Sequence, residues 1–201
     1  MYTRALDKNG DESFSDAVCQ LGFGDEAARD HLWLTATEWR SLIPDNAREG
    51  DGFAVPAGIA ERILRFHLVD NTRGGPPWWG NHEIRSSHLN LVVEQASGSS
   101  VELRLEGAAL LATDADVDKA DRGYDVRLLG YLKYDKARDS MERFDVVAVG
   151  DVWGSGPYNP DPRPGRTPLG VAFELSPGTS LADRVPPAGA TQFSTYFGNA
   201  R

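Results

Sequence analysis

The sequence predicts an α+β protein, a strongly curved or barrel-like antiparallel β-meander of five to six strands with two N-terminal helices packed on it. Two observations support this fold class. Up to about residue 70, apolar residues recur at helical spacing; from His88 onward they alternate with polar residues, as in strands that bury one face. Short Ser- or Asp-containing links join the alternating runs, which is typical of hairpins.

The first predicted helix covers residues 36–43. Thr35 and Glu38 have the T-x-x-E spacing of a capping box, in which each side chain satisfies a backbone N–H at the start of a helix. Trp39 opens an apolar stripe, and Pro44 ends the helix.

A second helix is predicted over residues 57–70. Pro56 suits its first turn because proline lacks the N–H that would have no partner there. Ile63 and His67 lie four residues apart and share a face of this helix. The Gly and Pro residues at 74–77 stop it.

The strands of the meander are predicted from five alternating runs, at residues 88–95, 100–108, 123–135, 141–153 and 167–175. The links "ASGSS" and "KARDS" each join two of these runs as hairpin connections. We expect the two helices to cover the buried face of the meander or to close one of its ends.

Three regions follow from the distribution of these patterns. Residues 1–30 form an acidic, loosely structured N-terminal segment, and residues 31–176 form a single α+β domain. Residues 177–201 are rich in Ser, Pro, Gly and Ala without a period, and they are predicted to be an extended C-terminal tail.

Charge and hydropathy narrow the possible partners. The formal net charge is −9, from 30 acidic and 21 basic residues, which argues against a nucleic-acid binder because such proteins need a basic face. No run approaches the roughly 20 apolar residues of a membrane span, so no membrane insertion is expected. No signal peptide is visible, but a removed export signal leaves no trace, so the compartment stays open. Cys19 is the single cysteine, which rules out an internal disulfide.

A divalent metal is the one cofactor that the sequence suggests. Between residues 65 and 88 lie three of the four histidines and a carboxylate that suits zinc or iron: His67, His82, Glu83 and His88. The spacing matches no compact zinc motif, and a histidine on the apolar stripe of a helix is more commonly a hydrogen-bonded core residue.

A second candidate metal site lies near the N-terminus. Asp7, Asn9 and Asp11 stand at positions 1, 3 and 5 of a twelve-residue stretch that resembles an EF-hand calcium loop. The stretch departs from that pattern at Glu12, where the turn wants Gly, and at Val18, where a bidentate Glu is expected.

Aromatic residues in Gly- and Pro-rich loops form the predicted ligand-binding site. A flat ring with polar neighbours is typical of sugar and small-ligand sites, although loop tryptophans also close the ends of sheets. The candidate residues are Trp78, Trp79, Trp153 and Tyr158, with Arg73 and Asp70 as polar partners.

The function predicted from these patterns is a non-catalytic domain that binds a small-molecule or carbohydrate-like ligand in the aromatic loops. The chain lacks a GxSxG nucleophile elbow, a phosphate-binding loop and a GxGxxG turn. Two alternatives stay open: a metal-dependent enzyme that uses the His/Asp/Glu cluster, and a structural or interaction module of a larger protein. The sequence leaves the ligand and the oligomeric state undetermined.

Overall fold

The computed structural model describes residues 1–6, 29–72, 77–157 and 159–198. Within them, seven strands form one antiparallel sheet in the spatial order β1-β7-β6-β5-β4-β3-β2. The strands are β1 Tyr2–Ala5, β2 Gly52–Ala54, β3 Ile84–Ala96, β4 Ser100–Ala112, β5 Arg122–Asp135, β6 Ser140–Gly156 and β7 Asn159–Phe173. The five long strands β3 to β7 are consecutive neighbours, and the two short strands are added at opposite edges.

The five alternating runs of the sequence lie within β3 to β7, apart from the last two residues of the final run. Successive side chains of a strand point to opposite faces, so every second residue joins the core. Leu105, for example, faces Leu91 across the β3–β4 pair, and all atoms of both side chains are nearly inaccessible to solvent.

The described residues contain three short α-helices: α1 Ala36–Arg40, α2 Ala57–Arg62 and α3 Phe193–Tyr196. The predicted capping box starts α1, because the Glu38 amide donates to Thr35 Oγ1 at 3.3 Å and the Thr35 amide donates to Glu38 Oε2 at 2.8 Å. α2 widens into a π-type turn over Ile63–His67, where the Leu68 amide donates to the Ile63 carbonyl at 3.0 Å.

The core lies between one face of the sheet and the chain segment that runs from residue 42 to residue 79. The sheet contributes alternate residues of its five long strands, and the segment contributes a compact set of large apolar side chains. The members from the segment are Leu42, Val55, Ile59, Ile63, Leu64, Leu68, Val69 and Trp79. The opposite face of the sheet, here called the outer face, carries exposed side chains.

The prediction of a strongly curved or barrel-like meander of five to six strands with two packed N-terminal helices is wrong. The sheet has seven strands and is open, since β3 pairs with β2 and β7 pairs with β1 instead of with each other. Edge strands of three and four residues carry too little alternation to be recognised in sequence. The two predicted helices are only five and six residues long, and α1 buries none of its residues. Segments without regular secondary structure therefore cover much of the buried face of the sheet.

The C-terminal segment returns to the body of the protein. It carries 3₁₀ turns at Ala182–Arg184 and Ala188–Gln192 before α3, and Tyr196 of α3 is 1 % exposed. The division into three regions stays a prediction, and residues 7–28 of the acidic segment lie outside the described residues.

Candidate functional site: a cavity at one end of the sheet

A half-open cavity of about 570 Å³ lies at the end of the sheet where β5 turns into β6 and where β7 ends. One wall belongs to the sheet, and the facing wall is the irregular segment that precedes α1. The lining residues are Met1, Tyr2, His31, Leu32, Trp33, Leu34, Trp39, Asp139, Ser140, Met141, Phe144, Phe173, Glu174, Leu175, Ser176, Pro177 and Asp183.

Most of the lining is apolar or aromatic, and its aromatic rings are held by their neighbours. Phe144 and Phe173 are only 8 % and 5 % exposed and join the core behind the cavity. Trp39 packs against Tyr134 with ring centroids 6.1 Å apart, and the Arg40 guanidinium lies 4.5 Å from the centroid of the Trp39 ring. A ring restrained in this way offers a fixed apolar face at low entropic cost.

One carboxylate of the lining is already engaged. Asp139 accepts from Arg40 Nη2 at 2.7 Å and from the Tyr134 hydroxyl at 2.8 Å. The Arg40 hydrogen bonds, with that of Tyr134, hold the pKa of Asp139 below its usual range. These hydrogen bonds of Asp139 join the β5–β6 turn to α1 and so help to shape the cavity. They also occupy the Asp139 carboxylate, which is therefore not a free charge for a ligand.

Other polar groups of the lining differ in how far they are engaged. Asp183 accepts from the Ser180 amide at 3.0 Å, which lowers the pKa of Asp183 and ties Ser180 to the 3₁₀ turn that contains Asp183. Glu174 is exposed, and its charge acts on the N-terminal ammonium of Met1, where it opposes the lowering of the pKa by burial. Its carboxylate is the acceptor that can meet a donor group on a ligand.

The wall opposite the sheet is anchored by a buried arginine. Arg62 is 2 % exposed, and its Nη1 donates to the Trp33 carbonyl and to Glu38 Oε2, both at 2.9 Å. Its Nε donates to the Tyr196 carbonyl at 2.6 Å, and its Nη2 pairs with Glu38 Oε1. Although burial acts to raise it, the net pKa of Glu38 is lowered by the hydrogen bonds from Arg62. The pair thus ties the cavity wall to α1, α2 and α3.

A second anchor, the cluster of His67, Tyr196 and Asp30, lies behind the cavity. The Tyr196 hydroxyl is 2.8 Å from His67 Nε2 and accepts from the Trp33 amide at 3.2 Å. His67 is fully buried, and this burial, with the charges of the N-terminal ammonium and Arg62 adding to it, lowers its pKa to about 3. The ring is therefore neutral at pH 7, and its 3.6 Å approach to Asp30 through Nδ1 is not an ion pair.

Trp78, Trp79 and Asp70 of the predicted aromatic site make contacts within the fold. The Trp79 indole is 2 % exposed and donates to the Leu68 carbonyl at 2.7 Å, and Trp78 packs on Phe66 at 5.7 Å. Asp70 is buried and accepts from the Thr72 amide at 3.1 Å.

Trp153 is half-buried and covers a glycine of the neighbouring strand. A Cβ at Gly123 would lie 1.9 Å from the Trp153 ring, so the ring occupies the space that the missing side chain leaves. The Arg166 guanidinium lies 4.1 Å from the centroid of the Trp153 ring. Arg73 and Tyr158 fall outside the described residues, so the aromatic site as a whole stays a prediction.

The structure does not bring the predicted metal ligands together. His67 lies in the core, whereas His82 and His88 are exposed and Glu83 accepts from the Gly80 amide at 2.6 Å. In the part of the chain that the structure describes, no three His, Cys, Asp or Glu side chains are placed to hold a metal ion. Asp7, Asn9 and Asp11 lie outside that part.

Sequence reasoning missed the cavity because its walls come from segments far apart in the chain. The one local signal was the apolar run Leu32-Trp33-Leu34 directly before the capping box, where no helical or strand period explains it. Phe144 and Phe173 look like ordinary core residues of their strands, and only the placement of residues 31–34 makes them a lining.

The fold and the cavity together define an open antiparallel sheet with one covered face and an apolar cavity at one end. No protein-family model matches the chain, and neither the curated proteins nor the solved structures contain a match. No helix among the described residues is long and apolar enough to cross a membrane.

Proposed function

We propose that the protein is a non-catalytic binding protein that holds a small, largely apolar ligand in the cavity between β6, β7 and residues 31–34. The observation that carries this proposal is the cavity itself. Its volume of about 570 Å³ falls in the range of about 300–1,000 Å³ that is usual for small-molecule sites. Such sites combine an apolar wall with a few polar groups that orient the ligand, as this lining does.

The lining indicates the chemistry of the ligand. Trp39, Phe144 and Phe173 suit an aromatic or aliphatic body, because ring faces and edges pack on both. Glu174 suits a hydrogen-bond donor at one end of the ligand. The ligand is thus expected to be amphipathic, with an apolar body and one donor group.

Binding without catalysis is favoured by the chemistry around the cavity. The buried histidine His67 is separated from the cavity by the ring of Phe173, which meets it edge-on at 6.2 Å. Asp139 is neutralised by Arg40, so it does not offer a free general base. For the metal-dependent alternative, the described residues provide no converging ligands.

Displacement of a fluorescent probe tests the proposal. We would use 1-aminoanthracene, a small aromatic amine, and compare the wild type with Leu34→Trp, which narrows the cavity, and Trp39→Ala, which removes one ring of its lining. We expect both changes to weaken probe binding at least about tenfold, since the added ring of Leu34→Trp occupies the ligand's space and Trp39→Ala removes a well-packed aromatic contact. Circular dichroism checks that each variant is folded.

Trp153→Ala is the matched control because it removes a tryptophan from the predicted aromatic site at the other end of the sheet. We expect it to leave probe binding unchanged. Loss of binding in Trp153→Ala with no loss in the two cavity variants would place the ligand in the aromatic loops instead. Failure of the probe to bind the wild type would overturn the cavity proposal.

A further inference from the structure

The outer face of the sheet carries a contiguous apolar cluster. Leu129 and Tyr131 of β5 are 50 % and 41 % exposed, and Val147 and Val149 of β6 are 49 % and 44 % exposed. Leu129 lies directly opposite Val147 in the β5–β6 pairing, so the four side chains are neighbours. Exposed clusters of large apolar residues on a sheet commonly mark an interaction surface.

Charges of opposite sign flank this cluster at equal distances along the strands. Asp125 and Asp151 face each other across β5 and β6, four residues before Leu129 and four after Val147 respectively. Both are exposed, and neither makes an ion pair with any residue of the described segments. Like charges placed directly opposite in a sheet repel, and the exposed Arg127, two residues beyond Asp125 on the same face, offsets only part of this double negative charge.

The basic end lies on the other side of the cluster. Lys133 and Arg143 face each other four residues beyond Leu129 and four before Val147. Arg143 contacts Asp145 at 2.6 Å, and Lys133 lies 3.5 Å from Glu142 and 3.7 Å from Glu102. These are exposed pairs of small energetic value, so both cations can turn to a stronger partner.

We propose that two copies of the chain pack outer face to outer face, about a two-fold axis that crosses the strands at the Leu129–Val147 pair. This axis places Asp125 and Asp151 of each copy on Lys133 and Arg143 of the other, so the facing carboxylates gain two cations at each end of the interface. An axis along the strands would instead place Asp125 and Asp151 on the same pair of the second copy.

The size and shape of the face fit such a dimer. From Asp125 to Lys133 the face spans about 27 Å at about 3.4 Å per residue, and five strands at about 4.8 Å span about 24 Å. The projected area of roughly 600 Å², enlarged by side-chain relief, approaches the about 800 Å² that each partner buries in a stable complex. An open sheet also allows the aligned packing of two sheets in a sandwich.

Sedimentation velocity over a range of protein concentrations tests the dimer. We expect the wild type to shift from monomer to dimer, and the double variant Leu129→Asp/Val147→Asp to raise the dimer dissociation constant at least about 30-fold. The matched control is Val185→Asp, which changes an equally exposed valine in the C-terminal segment and is expected to leave the dissociation constant unchanged. A wild type that stays monomeric, or a dimer that survives the double variant, would overturn the proposal.

A charge exchange tests the axis. The variants Lys133→Glu/Arg143→Glu and Asp125→Lys/Asp151→Lys are each expected to weaken self-association at least about tenfold, because each places like charges on both ends of the interface. Mixed in equal amounts, they are expected to form a heterodimer within about threefold of the wild-type affinity. Circular dichroism confirms the fold of each variant, and a mixture that stays monomeric contradicts the proposed arrangement.

Discussion

His67 makes the stability of the protein depend on pH in a way that can be isolated by one substitution. Its imidazole is fully buried beside Tyr196, and burial lowers its pKa to about 3 from an ordinary value of 6.5. Between these two values the unfolded chain binds a proton at this position and the folded protein does not. The free energy of unfolding therefore falls as the pH is lowered from about 6.5 towards 3.

The size of the effect follows from the two pKa values. Between pH 7 and pH 5 the protonated fraction of His67 rises from about one quarter to nearly one in the unfolded chain and stays close to zero in the folded protein. The linkage relation then gives a loss of about 2 kcal/mol in the free energy of unfolding over this interval. Burial raises the pKa of Asp30, so its titration changes the free energy of unfolding in the opposite direction. This contribution cancels when two proteins that both retain Asp30 are compared.

Urea unfolding at pH 7 and pH 5 provides the measurement. In His67→Gln the side chain keeps a nitrogen that can bond the Tyr196 hydroxyl but cannot titrate, while Asp30 is retained. We expect the loss between pH 7 and pH 5 to be smaller by about 2 kcal/mol in this variant than in the wild type. His82→Gln, at an exposed histidine, should keep the wild-type loss. Equal losses in wild type and His67→Gln would refute the reasoning.

Two further predictions concern the packing of the sheet. Gly150→Ala is expected to lower the free energy of unfolding by about 1–3 kcal/mol, since its Cβ would lie 1.9 Å from the Asp125 carbonyl oxygen. Gly98→Ala, with open space around its Cβ, is the control. Equal urea midpoints for the two variants would contradict the prediction. Trp79→Phe is expected to lower the free energy of unfolding by about 2–3 kcal/mol in the same assay, because it leaves the buried Leu68 carbonyl without its hydrogen-bond donor and creates a void. A decrease below about 0.5 kcal/mol would contradict this prediction.

The long strands could be predicted because their signal is local. Alternation in residues such as Val101, Leu103 and Leu105 assigns one face to the core whichever partners the strand finds. The capping box of α1 is equally local, as its two hydrogen bonds join residues three apart. The short edge strands were not predicted, because β1 and β2 owe their extended form to pairing with β7 and β3.

The same contrast between local signals and distant contacts applies to the candidate site. Trp78, Trp79 and Trp153 could be recognised as unusual loop aromatics, but nothing local distinguishes a ring that covers Gly123 from one that binds a ligand. The cavity depends on residues 31–34 being held over the ends of β6 and β7 by Arg62 and Tyr196. These contacts join positions 29 and 163 residues apart, beyond the reach of any period or spacing.

By itself, the sequence determined the alternating pattern of the five long strands, the start of α1 and the acidic character of the chain. Only the tertiary structure decided that the sheet stays open, that His67 is a neutral core residue, and that an apolar cavity lies at one end. The physical reason is that periodicity records which side of an element is buried. Sheet closure, proton affinity and cavity shape depend instead on which distant segment provides the burial.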